Sequence, residues 1–414
     1  MPAFSIPLAG LSANDRALQV IANNLANLNT VAFKTARPNF RDLFYQQIGS
    51  TGSGNPVQVG VGTGISSISS LFTQGSIESS GVQTDVALQG DGFFILDDGG
   101  LRLYTRAGTF ELDANGFLVS STGANVLGFP AVNGVVGSNT TLVPLQINTG
   151  QISAPNPTNT IEITMNLNAD DPVGTTFSTA IGVVDSLGST HIVTANFTKT
   201  GTNTWDYELT VPAVDVGGLI TDPPVVLNFG TLTFDGTGQL ILPAADVTGI
   251  TITGFVNGAN NLTFDWQLYD PNGGSIVTQV SSPSATFTTR QDGFPAGTLL
   301  DFSIQGDGTI QGVFSNGQTL ALGQIALATF PNVQGMLRDG NNNFLASLSS
   351  GQPNTGVPGT GGRGSVSGGA LELSNVDIAR EFAQLILAQR GFQANSRAVT
   401  TFDEITQEAI NLKR

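Results

Sequence analysis

Leu18-Gln19-Val20-Ile21-Ala22-Asn23-Asn24-Leu25-Ala26-Asn27-Leu28 carries apolar side chains at 18, 21, 25 and 28, in steps of three, four and three. That spacing is a heptad stripe, and Leu11 extends it one repeat toward the N-terminus. The far end of the 414-residue chain has a counterpart. There Ile378, Leu385, Phe392 and Val399 repeat every seven residues, Phe382 joins them, and Phe402, Ile405, Ala409 and Leu412 again step three, four, three. Both ends therefore read as helices that pair in a coiled-coil-like inner domain, residues 1–34 plus 371–414, and bury their seams against further copies of the chain. A lone helix of roughly twenty residues owes most of its stability to packing, so the ends are expected to order on association.

Sequence signals place the helix boundaries. Ser12 is a candidate N-cap for a first helix running to about Phe33. Ser374-Asn375-Val376-Asp377 sets a hydroxyl three residues before a carboxylate, the capping-box arrangement, for a second helix that continues toward the end of the chain. Gly391 lowers helix propensity inside that second helix, and the polar residues around it put amides beside the seam, where they can fix register.

Between the ends the language changes. A total of 52 Gly and 19 Pro with only 11% charged residues points to many turns between short strands, hence a mainly β body. Cys is absent and His occurs once, which removes thiol redox chemistry, catalytic Cys and Cys/His zinc sites. The net charge of -16 is unevenly placed. Residues 1–45 carry four basic and two acidic groups and residues 371–414 five and six, so almost all the negative charge lies in the middle. An acidic, solvated middle with near-neutral ends suits a protomer whose ends pack inside an assembly. No basic stripe with interleaved aromatics is present, which argues against nucleic acid. The start lacks a basic region followed by an apolar one, and no run of 18 apolar residues exists, so neither a cleaved signal peptide nor a membrane-spanning helix is expected.

Gly/Ser/Pro-rich stretches at 49–64 and 351–369 read as linkers, within joints 35–75 and 351–370 that hang the helices compliantly from the body. No Lys-Ser/Thr follows the first, so it is not a phosphate loop. Between them, Asp97-Asp98-Gly99-Gly100, Asp113-Ala114-Asn115-Gly116, Asp185-Ser186-Leu187-Gly188, Asp235-Gly236-Thr237-Gly238, Asp270-Pro271-Asn272-Gly273 and Asp307-Gly308 sit between alternating apolar runs and read as hairpin turns. Turn carboxylates already have a structural role, so Asp97 and Asp98 are no acid/base pair, and Asp339-Gly340-Asn341-Asn342-Asn343 is a turn rather than a calcium loop. His191 has no partner visible in sequence, and Trp205 and Trp266 read as core. No catalytic set, cofactor site or metal site is expected. The strands are expected to form a first β domain, 76–150 plus 282–350, with an outer domain, 151–281, inserted in it.

Several motifs carry a family resemblance. Ala22-Asn23-Asn24-Leu25-Ala26-Asn27-Leu28-Asn29-Thr30-Val31-Ala32-Phe33-Lys34 resembles the N-terminal signature of the bacterial flagellar rod, hook and hook-associated axial proteins, and Gln389-Arg390-Gly391-Phe392-Gln393-Ala394-Asn395-Ser396-Arg397 their C-terminal one. Asp91-Gly92-Phe93-Phe94, Tyr104-Thr105-Arg106-Ala107-Gly108 and Phe110-Glu111-Leu112-Asp113-Ala114-Asn115-Gly116 are similar to the first β domain of that family. More narrowly, residues 301–330 and the run from Val184 to His191 are similar to its hook members. Ala32 departs from the pattern, which usually has Gly before Phe-Lys.

The resemblance implies a subunit exported unfolded, without a cleaved signal, through the flagellar type III apparatus. It further implies polymerisation outside the cell into a curved, flexible helical tube that transmits motor torque from rod to filament. Paired terminal helices would line the tube and two β domains would form its outer layers. The implied partners are further copies of the chain, a distal rod protein, a hook cap and hook–filament junction proteins, with no nucleic acid and no membrane insertion. Asn23, Asn24, Asn27, Gln389, Arg390, Asn395 and Arg397 are the polar signature positions. Two alternatives stand beside this reading. A distal rod protein shares both terminal signatures but has a shorter β region, and an extracellular β-rich adhesin or carbohydrate-binding protein would explain the middle but not the ends.

Overall fold

A helix of twenty-two residues lies near the N-terminus and one of thirty-four near the C-terminus, and between them the described residues form a mainly β body of strands and turns with two short 3-10 helices. The structure, a computed structural model, describes residues 4–137, 141–148 and 150–412. The chain divides into two compact units, Met1–Thr149 with Asp301–Gly312 and Thr319–Arg414, and Gly150–Leu300 with Val313–Gln318. The second is thus inserted in the sequence of the first.

Helix α1 spans Ser5–Ala26 and α2 spans Ile378–Asn411. Helix α1 starts seven residues before the expected Ser12 and stops seven before Phe33. Pro7 does not prevent the earlier start, because the N–H groups of a first turn have no partner to lose. No side chain caps that end. Ser374 does not cap α2 either: the N-cap is Asp377, whose Oδ1 accepts from the Arg380 N–H at 3.1 Å. Two residues before it, Asn375 is bonded to Thr35, Leu71 and Thr73 of the β body.

Both expected linkers contain paired strands. In residues 35–75, β1 (Ala36–Asp42) pairs antiparallel with β4 (Thr63–Ser70), and beyond them β2 (Tyr45–Ser50) pairs with β3 (Pro56–Gly60). Strands Asn354–Gly356 and Ser365–Gly368 likewise pair with Leu327–Thr329 and Val86–Gln89. Gly and Ser there mark sharp turns between short ladders.

In the first unit, Phe93–Asp98 and Leu101–Thr105 form a hairpin, flanked by Asn125–Val132 on one side and Asn343–Leu345 on the other. Phe93, Phe94, Ile95 and Leu96 are all fully buried, as a strand covered on both faces requires. Phe93 meets Phe330 and Phe344 edge-on at 6.0 and 5.7 Å, and Phe94 meets Phe110 at 5.2 Å.

The second unit is two sheets over one core. One is an antiparallel meander of Thr176–Val184, Thr190–Gly201, Thr204–Val211, Val225–Phe234 and Leu240–Leu242. In the other, Thr160–Asn166 runs parallel to Leu262–Gln267 and antiparallel to Ala285–Gln291. The six-residue register of that last pairing places Ala285–Gln291 in this unit, beyond the expected boundary at 281. Trp205 and Trp266 are fully buried in the core, with Tyr207 edge-on to Trp266 at 5.2 Å.

Four of the turns share one device. Asp113, Asp185, Asp235 and Asp270 each accept, through Oδ1, the N–H groups two and four residues on, and the Gly three residues on takes a φ of 80° to 88°. At Asp185 the device is elaborated. Its Oδ2 receives His191 Nε2 at 3.0 Å and Asn257 Nδ2 at 2.5 Å, while His191 Nδ1 faces Asp215 at 3.2 Å. Burial works against the Asp185 carboxylate, but the bonds from His191, Asn257, Ser189 and Leu187 outweigh it and hold the carboxyl below the usual range. A depressed carboxyl contributes stability above its ordinary value of 3.8 and loses it as pH falls through the native value. Asp185→Asn is therefore expected to cost the second unit about 1.5 to 3 kcal/mol near neutrality. The gap from the native chain should persist at the ordinary carboxyl value of 3.8 and close only as pH falls below it, through the depressed native value, read by thermal melts across a pH series.

Candidate functional site: the helix pair and its joint

Helix α1 packs antiparallel on α2, and its buried positions are small: Gly10, Ala13 and Ala17, followed by Ile21 and Asn24. The closest approach is reciprocal. A side chain on Gly10 would lie 2.8 Å from the Asn395 amide, and one on Gly391 would lie 2.8 Å from that of Asn14. Asn14 Nδ2 bonds back to the Gly10 carbonyl at 2.8 Å and Asn395 Nδ2 to that of Gly391 at 2.9 Å. Each helix thus offers a Gly gap and, one turn on, an Asn whose amide fills the gap opposite. Ala17, Ile21 and Ala388 close the apolar part of the seam, with Leu18, Leu25 and Leu385 packed around it.

The expected heptad residues divide in two. Ile21 is buried, and Leu11, Leu18, Leu25, Leu28, Leu385, Phe392 and Val399 are half-buried. Ile378, Phe382, Phe402 and Ile405 are exposed, as are Ile386 and Leu387, which the heptad reading omits. The two terminal helices pair within the single chain, and the intrachain seam is made chiefly of small residues, so large apolar side chains of α2 are left outside it.

Of the polar signature positions, Asn24 and Asn395 enter the seam. Asn24 is buried, exchanging bonds with the Ala36 backbone at 2.8 and 2.9 Å and donating to Glu381 Oε2 at 3.1 Å. Asn27 closes the end of α1 by donating to the Asn23 carbonyl at 2.9 Å and accepting from Thr30 Oγ1. Asn23, Gln389, Arg390 and Arg397 are exposed.

Behind the helices the joint is stitched by buried charge. Glu372 Oε1 accepts from Lys34 Nζ at 2.6 Å and from the Gly75 N–H at 2.8 Å, and Oε2 accepts from Arg106 Nε at 3.2 Å. All three side chains are at most 3% exposed. Lys34 also donates to the Thr73 carbonyl and Arg106 to that of Gly90. Burial, with Arg106 adding to it and Glu372 opposing it, pushes the Lys34 ammonium below its usual range. Beside this cluster Asn375 accepts from the Thr35 N–H and hydroxyl and donates to the Leu71 and Thr73 carbonyls. The stretch expected to act as a compliant joint thus carries a buried polar node.

The chain turns into the node at Ala32, whose φ is +56° and whose N–H donates to the Glu372 carbonyl at 2.8 Å. This conformation explains a Gly preference at that position. Lys34 and Arg106 lie inside quoted motifs, but sequence reasoning missed Glu372, Asn375 and Glu381. Glu372 sits between two leucines, which hints at a carboxylate turned inward, yet nothing marks cations 338 and 266 residues away. Among the described residues no His/Asp/Glu group has a metal-holding arrangement, and no helix is long and apolar enough to cross a membrane.

Residues 8–34 match the family model described as flagella basal body rod protein, and residues 367–412 the flagellar basal body rod FlgEFG protein C-terminal model. Residues 87–167 match the flagellar hook protein FlgE/F/G D1 domain and 155–294 the flagellar basal body protein FlaE D2 domain. The chain is similar to flagellar hook protein FlgE of Escherichia coli, 35% identical over 99% of this chain and 100% of that one. FlgE of Treponema pallidum is 34% identical over 98% of each. The crystal structure of Helicobacter pylori flagellar hook protein FlgE2 shares the fold, with a TM-score of 0.51 at 16% identity over 70% of this chain and 98% of that one.

Three substitutions test this geometry. Glu372→Gln leaves two buried cations without a counter-charge and is expected to cost about 3 to 5 kcal/mol; Lys34→Met leaves the Glu372–Arg106 pair intact and should cost less than half as much. Ala32→Gly relieves the left-handed alanine and should raise stability by up to about 1 kcal/mol. Chemical denaturation of the three variants checks the order.

Proposed function

We propose, for a chain that belongs to the flagellar hook protein family and is a structural protomer of the hook, that α2 joins copies through its exposed apolar side chains while α1 closes its other side. The family is structural, and its members assemble into the flagellar axis with related flagellar proteins. The observation that carries the reading is the stripe Ile378, Phe382 and Ile386, successive i, i+4 positions that are each about half exposed. Leu387, Phe402 and Ile405 add a second apolar face farther along. Covering such side chains contributes about 1 kcal/mol each before ordering costs. A row of them repeated in every copy supports a cooperative polymer.

Head-to-tail contacts that do not close into a ring generate a helical tube. In this proposal the tube is curved and flexible and carries motor torque from rod to filament. Export through the flagellar type III apparatus, and docking on a distal rod protein, a cap and junction proteins, belong to the same proposal. The 150–300 insert favours a hook over a rod subunit, and the paired signature helices favour either over an adhesin.

Phe382→Asp puts a charge on the exposed stripe without touching the α1 seam. The monomer should keep its circular dichroism spectrum and melting temperature, while electron micrographs under polymerising conditions show no tubes. Normal tubes from this variant would remove α2 from the contact.

A further inference from the structure

Beyond Phe402, whose ring lies 6.0 Å from that of Phe4, residues 403–411 of α2 and its C-cap Leu412 extend about 15 Å with no described partner elsewhere in the chain, and all are exposed. This overhang is amphipathic. Phe402, Ile405, Ala409 and Leu412 share one face, and Glu404 and Glu408, four apart, run along its edge toward Leu412. Neither Glu forms an ion pair among the described residues.

A complementary surface lies elsewhere in the same unit. Between α1 and the β1/β4 ribbon is an open groove of about 400 Å³, with Val20, Ala36 and Ile68 offering apolar surface and Arg16 and Arg338 offering charge. Arg338 Nη2 is held by the Lys34 carbonyl at 3.0 Å and Ser70 Oγ at 2.7 Å, which fixes the guanidinium at the groove. Neither Arg pairs with a carboxylate among the described residues. The groove thus combines apolar surface and unpaired cations, and the overhang combines an apolar stripe and unpaired carboxylates.

We propose that the 402–412 overhang of one copy seats in the Arg16/Arg338 groove of a second copy, its apolar stripe on Val20 and Ile68 and Glu404 and Glu408 against the two guanidinium groups. This rests on the reading of the chain as a self-assembling protomer and names the contact. One chain cannot satisfy it alone. The pairing of residue 10 with 395, 14 with 391 and 24 with 381 sets Val20 opposite Leu385, and the helix from Leu385 to Ala409 covers roughly 36 Å. Each copy presents both halves at different places, so the contact is heterologous and propagates.

The natural absence of Cys makes the test direct. Val20→Cys with Ala409→Cys, assembled from full-length protein and then oxidised, should give a non-reducing ladder of dimers, trimers and higher multimers. Each single variant should stop at dimers or remain monomeric. Separately, Arg16→Glu should slow tube elongation at least fivefold, and adding one reversal, Glu404→Arg or Glu408→Arg, should restore it for the carboxylate that faces residue 16, the other staying on Arg338. Tubes without a ladder, a product stopping at dimers in the double variant, or an Arg16→Glu chain elongating at the native rate would each overturn the groove contact while leaving the protomer reading intact. Failure of the native chain to form tubes would instead overturn that reading.

Discussion

The carboxylate of Glu372 is the point on which the first unit depends. One buried side chain engages residues from three distant segments: the exit of α1 at Lys34, the return of the ribbon at Gly75, and the end of a body strand at Arg106. Taking such charges out of water is costly, and a well-packed apolar cluster of the same volume would be as stable or more so. An apolar cluster, however, is tolerant of sliding. Two cations on the two oxygens of one carboxylate, together with the bidirectional bonds of Asn375, define one geometry for the path from helix to body. The helices are thereby aimed as well as attached. If the assembled tube bends, the compliance must then come from contacts between copies.

The helix pair divides labour by side-chain size. Small residues and reciprocal Gly–Asn contacts bring α1 close to α2, and close approach makes register sensitive to single positions: Gly10 meets Asn395 and Gly391 meets Asn14, with the amides unable to fit one turn away. A seam of interdigitated leucines would be more stabilising per residue, but it would consume the side chains that α2 leaves exposed. Monomeric proteins rarely leave such rows uncovered, and their presence beside a satisfied seam is what supports the proposed contact with a second copy.

Much of this was legible in the sequence where the signal is local. Heptad spacing located both helices, because 3.6-residue periodicity survives in sequence whatever the partner. Asp-x-x-Gly located four turns, because φ near +80° and a carboxylate accepting nearby N–H groups are properties of the segment itself. Assignments failed where tertiary contacts decide. Gly- and Ser-rich residues 35–75 read as linker, since a ribbon whose partner strands are over twenty residues apart has only weak alternation and no buried face to mark it. Ser374 read as a cap, but its neighbour Asn375 is committed to Thr35, Leu71 and Thr73, and the cap is Asp377. The Glu372 node was invisible because its members are scattered over the whole chain.

Charge placement sets the balance between these layers. Some carboxylates of the middle have a structural task in turns, where Asp113, Asp185, Asp235 and Asp270 hold backbone N–H groups. Their charge is a by-product of local structure, yet it leaves the β surfaces of every copy with the same sign. In the proposed tube, β surfaces of like sign on neighbouring copies would repel over about 10 Å at moderate salt, which would keep their contacts weak and exchangeable. The near-neutral ends carry no such penalty and can associate through apolar surface. In that proposal, strong inner cohesion with weak, like-charged outer contacts would follow from one uneven distribution of carboxylates, and it is the combination that a tube must have if its wall is to stay closed while its outer surfaces slide.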